Sequence, residues 1–279
     1  MKKDKLFLQN EKLKTYDYTI PSNSRKISTR GILRCLDWVP IFLAMGIVWR
    51  RRWWRFLVGG INRSVIFLAI FAWNLKGGNT AIKGYLGYLI PGLVVMAAVS
   101  ASYSDLVNWF TLRRTFYRVL DEYLLSPISN SSLLLGHVLG GAVKGFLIAL
   151  IVYLSSNLFM NGLHLNPLIF LQLFIICLTF ASLAVAVAMV AGGDKDVLMF
   201  TNLIVFPMTF FCGTFFPVDR LPGFLKIGSW FLPLTAATYN LRSLALNGLN
   251  NFSWFIQSLA WLFILYLSAF ILLRLRRED

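Results

Sequence analysis

Acidic residues are scarce in this sequence. Twelve aspartates and glutamates stand against 27 lysines and arginines, and charged residues of either sign make up only 14% of the chain. Catalysis inside a bilayer calls for paired carboxylates or clustered histidines at membrane depth. Asp105, Asp121, Glu122, Asp194 and Asp196 instead fall at the edges of apolar runs, which argues against such chemistry. The two histidines, His137 and His164, have no carboxylate or cysteine at ligand spacing, so no metal site is expected. Three cysteines, Cys35, Cys177 and Cys212, share no close spacing and read as buried free thiols, not as a disulfide framework. A phosphate-binding loop is missing as well. In "GHVLGGAVKG" the glycines Gly136 and Gly141 have the right separation, but Ala142 stands where the loop needs lysine. Those glycines are expected to let helices approach closely instead. Met1 to Arg30 has no compact apolar stretch and does not read as a cleavable signal peptide.

Apolar surface is what the sequence has in abundance. Hydrophobic residues make up 57% of its 279 positions and mean hydropathy is +0.66, more than one globular core could bury. A bilayer helix needs about 20 mostly apolar residues. Six runs qualify: 56–75, 85–108, 133–159, 167–191, 197–216 and 252–273. The expected fold is an all-α membrane protein with six transmembrane helices over 56–279. Thirteen of the basic residues lie in the first 55 positions and adjoin apolar runs, the pattern of a cytoplasmic membrane face and not of a nucleic-acid site. The N-terminal segment, the loop with Arg113, Arg114 and Arg118, and the tail with Arg274, Arg276 and Arg277 fall on one face. Both termini are therefore expected in the cytoplasm, with 1–30 a flexible tail. Residues 31–55 form an expected amphipathic helix along the inner leaflet. Its apolar core from Trp38 to Trp49 is too short to cross, and Arg50, Arg51, Arg52 and Trp53 anchor it at the interface.

Two segments between the runs carry pattern. In "NWFTLRRTFYRVLDEYLLSPISNSSLLLGHVLGG", Phe116, Leu120 and Tyr123 or Leu124 recur at helical spacing while Arg114, Arg118, Asp121 and Glu122 take other faces. A short amphipathic cytoplasmic helix follows, ended by Pro127. In "FFCGTFFPVDRLPGFLKIGSWFLPLTAATYNLR", prolines 217, 222 and 233 interrupt a stretch that stays half apolar. It is too greasy for a loop and too broken for a span. Phe216 and Trp230 suit an outer interface, and Asp219, Arg220 and Arg242 mark its expected wet edges.

Three motifs in this order resemble the ABC-2 type membrane permeases, in the branch with nodulation-factor and daunorubicin-type exporters. They are "YLGYLIPGLVVMAA", "FYRVLDEYLLSPISNSSLLLGHVLGG" and "CGTFFPVDRLPGFLKIGSWFLPLTAATYNLRSL". The resemblance covers about 50–274. It implies that the second motif is a coupling helix, with Arg114, Arg118, Asp121, Glu122 and Pro127 against an ATPase. It also implies that the third folds back into the outer leaflet as two short helices, its exit region holding Gly213, Phe216, Pro217, Asp219, Pro222, Trp230, Pro233 and Arg242. The implied function is the permease subunit of an ATP-driven exporter in the plasma membrane of a prokaryote. Such a chain binds no cofactor of its own. ATP and magnesium belong to a separate ATPase subunit present in two copies, and a second permease copy completes a homodimer embedded in lipid. An amphipathic substrate, such as a lipid-linked saccharide, a lipid or a hydrophobic drug, suits the aromatic outer helices. The competing classes are a channel, which would want a charged or carbonyl-lined pore, and a membrane-embedded transferase, which would want acidic or histidine pairs.

Overall fold

The first helix, α1 (38–51), lays an apolar stripe along a seam of small residues. Ile41 and Met45, four apart, are both buried, and they face Gly136 and Gly140, also four apart. A methyl group added at either glycine would fall within 3 Å of those side chains. The next step in the same register sets Trp49 against Lys144. The two helices thus run in the same direction, close enough that only glycine fits between them. Leu43 and Ile47 point away and are exposed, as are Arg50 and Arg51. The helix expected to lie along the leaflet therefore runs lengthwise beside one of the long helices where it is described. These positions belong to a computed structural model that describes residues 37–51, 66, 80–115, 117, 128–157, 166–248 and 250–278. All of them fall in the unit Arg34–Asp279. Residues 1–30, Arg52, Trp53 and the expected first span at 56–75, apart from residue 66, lie outside the described residues.

Beyond α1 the described chain is helical, with no strand among the described residues. α2 (Thr80–Val99) passes through a π-helical turn, Ser100–Ser104, into α3 (Asp105–Thr115) as one rod. Pro91 sits inside α2, which a packed membrane helix tolerates because neighbouring groups satisfy the freed carbonyl. α4 is Asn130–Asn157 and α5 Pro167–Val190. α5 starts sharply because the Asn166 side chain accepts from the Leu168 N–H at 3.1 Å and Pro167 takes the first helical position. α6 (Asp194–Phe200), a second π turn (Thr201–Val205) and α7 (Phe206–Phe211) form another continuous rod. The short helices α8 (Gly223–Trp230) and α9 (Pro233–Asn247) precede the long α10 (Phe252–Glu278). The two π turns touch. Thr201 Oγ1 donates to Val197 O at 2.7 Å, so Tyr103, fully buried, donates to Thr201 Oγ1 at 3.2 Å.

Four helices among the described residues are long and apolar enough to cross a bilayer: Gly87–Thr115, Asn130–Ser156, Pro167–Val190 and Phe252–Leu275. They fall on the expected second, third, fourth and sixth runs. α5 is the centre, 78% buried and packed against α10, α4, α3, α9 and α2. α10 is only 17% buried, so it presents most of its apolar surface outward. Two boundaries differ from expectation. The second run continues past Asn108 to Thr115. The fifth, expected over 197–216, is helical from Asp194 to Phe211, begins with three charged residues and is not among the four. Cys212–Phe216 leave the helix because Gly213 takes φ +77°, a left-handed conformation that glycine alone adopts without strain.

Candidate functional site

The greasy, proline-broken stretch is a clamp. After α7 the segment 212–217 lies against α2 so closely that a Cβ on Gly92 would overlap the carbonyl of Thr214. Two tyrosines on one face of α2 hold it: Tyr85 Oη donates to Phe215 O at 3.2 Å and Tyr88 Oη to Gly213 O at 2.9 Å. Arg242 on α9 closes the clamp from the other side. Its Nη2 donates to Gly213 O at 2.8 Å, its Nε and Nη2 donate to Tyr88 O at 3.2 and 3.1 Å, and its guanidinium lies 3.4 Å from the centre of the Tyr88 ring. Arg242 is only 8% exposed. The sequence reading places Arg242 at a wet edge of this stretch. Here backbone carbonyls and an aromatic face replace water.

Pro217 precedes a 3₁₀ turn at Val218–Arg220, Pro222 caps α8 and Pro233 opens α9, so each proline marks a helix boundary. Trp230, Tyr239 and Trp254 stack with ring planes within 30° of parallel, Trp230 against Trp254 at 4.9 Å, which ties α8, α9 and α10 together. Tyr239 Oη also accepts from the Val218 N–H at 3.2 Å. Phe216, Phe224, Ile227 and Phe231 are left exposed. Asp219 and Lys226 pair at 2.8 Å, both solvent-accessible. Beneath the stack lies a buried polar relay. Asn240 Nδ2 donates to Gln172 Oε1 at 3.1 Å, and Gln172 Nε2 donates to Ser258 Oγ at 3.2 Å, so α9, α5 and α10 are bonded in series.

At the other end, Arg118, Asp121, Glu122 and Pro127 lie outside the described residues. Arg114 ends α3 and caps α5: its Nη1 donates to the carbonyls of Ala188 (2.5 Å), Met189 (2.8 Å) and Ala191 (3.0 Å). Ala188 and Met189 hold two of the last carbonyls of α5, which have no intrahelical partner, and Ala191 is its C-cap residue. Arg113 lies over the Trp109 ring at 4.1 Å. Arg114→Gln is expected to lower stability by about 1.5–3 kcal/mol, the range for a hydrogen-bonded charged donor, measured as the thermal midpoint in detergent. A variant with unchanged midpoint and lost partner binding would return Arg114 to the coupling surface alone.

One charged pair escaped the sequence reading. Lys144, midway along α4 with its side chain 6% exposed, is ion-paired and hydrogen-bonded to Asp105 Oδ2, and its ammonium lies 5.7 Å from the centre of the Trp49 ring. Trp49, Trp109, Asp105 and Lys144 line a cavity of about 100 Å³ between α1, α3 and α4. Asp105 is thus not at the end of a span but within the rod that runs on to Thr115. A lone lysine inside "LGGAVKGFLIAL" was the signal; its partner, 39 residues away, only the fold reveals. His137 is fully enclosed, its Nδ1 2.8 Å from Leu133 O and its ring between Trp109 and Phe110. Cys177 and Cys212 are buried free thiols; Cys35 lies outside the described residues.

Four helices among the described residues that are long and apolar enough to span a bilayer, with an aromatic-rich clamp between α2 and α9, define an all-helical membrane protein. Residues 42–246 match the ABC-2 type transporter family, and the chain belongs to it. It is 24% identical over 178 residues to the inner membrane transport permease YadH of Escherichia coli K12, covering 62% of this chain and 69% of the relative. It is also 24% identical over 218 residues to nodulation protein J of Rhizobium leguminosarum bv. trifolii (76% and 82% covered) and over 217 residues to its namesake in Rhizobium meliloti (75% and 81%).

Proposed function

We propose that this chain is the permease subunit of an ATP-binding cassette exporter, carrying an amphipathic substrate outward across a prokaryotic plasma membrane on ATP hydrolysed by a separate subunit. The family match over 42–246 carries the reading, and the arrangement of charge supports it. Basic flanks gather at the ends holding Arg113, Arg114 and the C-terminal arginines, while the stretch with Phe216, Phe224 and Phe231 offers exposed rings to the opposite interface. In this reading the Asp194–Phe211 rod and the run at 56–75 complete six spans, α8 and α9 re-enter the outer leaflet, and two permease copies pair with two ATPase copies. ATP and magnesium sit on the ATPase.

Glu122, with Arg118, couples the permease to its ATPase. An exposed ion pair contributes only about 0–1 kcal/mol, so stability gives those charges little purpose. At a desolvated interface, losing one member of a charge pair costs about 2–5 kcal/mol, which weakens the complex roughly thirty-fold to several-thousand-fold. Glu122→Ala should keep normal expression and helix content but lose ATPase copurification, and the permease purified alone should hydrolyse no ATP. Full copurification with full transport overturns the coupling assignment. Hydrolysis by the isolated chain overturns the subunit reading.

A further inference from the structure

We propose that Arg242 is an anion seat: when the 212–217 segment lifts from α2, its guanidinium receives one phosphate ester group of an amphipathic ligand. The proposal rests on the export reading for its place on the pathway and deepens it by naming the charge of the substrate.

Among the described residues the guanidinium is buried without a counter-charge. Among the described residues it forms no ion pair, and its Nη1 is buried with no hydrogen-bond partner. The sequence offers few candidates to supply one. No aspartate or glutamate occurs in 38–104, 123–193, 197–218 or 220–277. Asp219, the carboxylate nearest in sequence, is held by Lys226. Asp105 is held by Lys144 and Asp196 by the Gly192 N–H. The remaining acids, including Asp121 and Glu122, belong to the termini and to the expected cytoplasmic face. A buried, uncompensated cation is strongly unfavourable and marks function where it persists in a membrane protein.

The donors show which edge is waiting. A guanidinium can bind a phosphate through two parallel N–H groups on one edge of its fork. The Nε–Nη2 edge is spent on Tyr88 O. The Nη1–Nη2 edge is covered by one acceptor only, the carbonyl of Gly213. That carbonyl belongs to the segment whose conformation turns on the positive φ of Gly213, so it acts as a placeholder for an anionic oxygen. Moving it uncovers both donors together, while Tyr88 O and the Tyr88 ring keep the guanidinium oriented.

The test uses the full-length chain in maltoside micelles, which contain no phosphate. The thermal midpoint is followed against dioctanoyl phosphatidylglycerol, inorganic phosphate and dioctanoylglycerol. Phosphatidylglycerol should raise the midpoint of the wild type and dioctanoylglycerol should not. A rise with inorganic phosphate as well assigns the seat to free phosphate, and a rise with the lipid alone assigns it to a lipid ester. Arg242→Gln should weaken apparent affinity at least about tenfold, and Arg242→Lys less, since one point charge replaces the fork. Tyr88→Phe keeps the ring and the Tyr88 carbonyl but removes the bond to Gly213 O, so it should tighten binding about threefold or more by populating the lifted segment. A purely structural clamp predicts weaker binding in every variant. Weaker binding in Tyr88→Phe, undiminished binding in Arg242→Gln, or an equal response to dioctanoylglycerol overturns the proposal. ATPase copurification from the same preparations separates this failure from failure of the export reading.

Discussion

Asp105→Leu should destabilise the protein by about 3–5 kcal/mol, and adding Lys144→Met to the same chain should restore most of that loss. The asymmetry of the pair sets the size. Lys144 has a side chain 6% exposed and Asp105 one 45% exposed. Removing the carboxylate takes the ion-pair partner away from an ammonium in the apolar middle of α4, beside the face of the Trp49 ring. Removing the ammonium leaves a carboxylate that still reaches the cavity. Lys144→Met alone should therefore cost less than Asp105→Leu alone. Thermal unfolding of the two single variants and the double variant in one detergent completes the cycle. If the double variant is as unstable as the sum of the singles, the two side chains do not depend on each other and the pairing has no energetic weight.

Gly92→Ala should reduce transport more than tenfold while inserted protein remains detectable. The added methyl would overlap the backbone of Thr214, which cannot turn away as a side-chain tip can. Overpacking of this kind costs about 1–3 kcal/mol. Relief requires the 212–217 segment to shift, which strains the hydrogen bonds from Tyr85, Tyr88 and Arg242 that hold it. Gly46→Ala on α1 is the matched control. No atom lies within 4 Å of its added methyl, and alanine is the better helix former by up to about 1 kcal/mol. Equal transport by both variants would mean that the seat of the segment on α2 has no part in the process.

The parts of this architecture legible in the sequence are those that depend on neighbours along the chain. Long apolar runs locate α4, α5 and α10 within a few residues, and Pro217, Pro222 and Pro233 mark the breaks around α8 and α9. What escaped depends on partners distant in sequence. The expected second run stops at Asn108, with Arg113 and Arg114 in a loop beyond it, yet the helix continues to Thr115, where Arg114 bonds the end of α5 and Arg113 lies over Trp109. The same early ending put Asp105 at a span edge and hid its lysine. Arg242 looked like a surface residue because the acceptors that bury it sit on α2, 154 residues earlier, and on a loop 29 residues earlier. Pro91 was visible, but that the face beside it would seat a loop was not.

The two π turns give a further meaning to the long rods. Each turn holds an extra residue compared with an α-helical one, so the side chains beyond it are out of phase with those before it by about one helical step, near 100°. One rod can therefore direct two faces at once. On the rod 80–115, the half before Ser100 carries Tyr85, Tyr88 and Gly92 toward the clamp, and the half after Ser104 carries Asp105 and Leu106 toward α4. Tyr103 fastens this change of phase to the matching one at Thr201. The gear-like mismatch is locked between two helices, and a twist carried along this rod from its Arg114 end meets it before reaching the clamp.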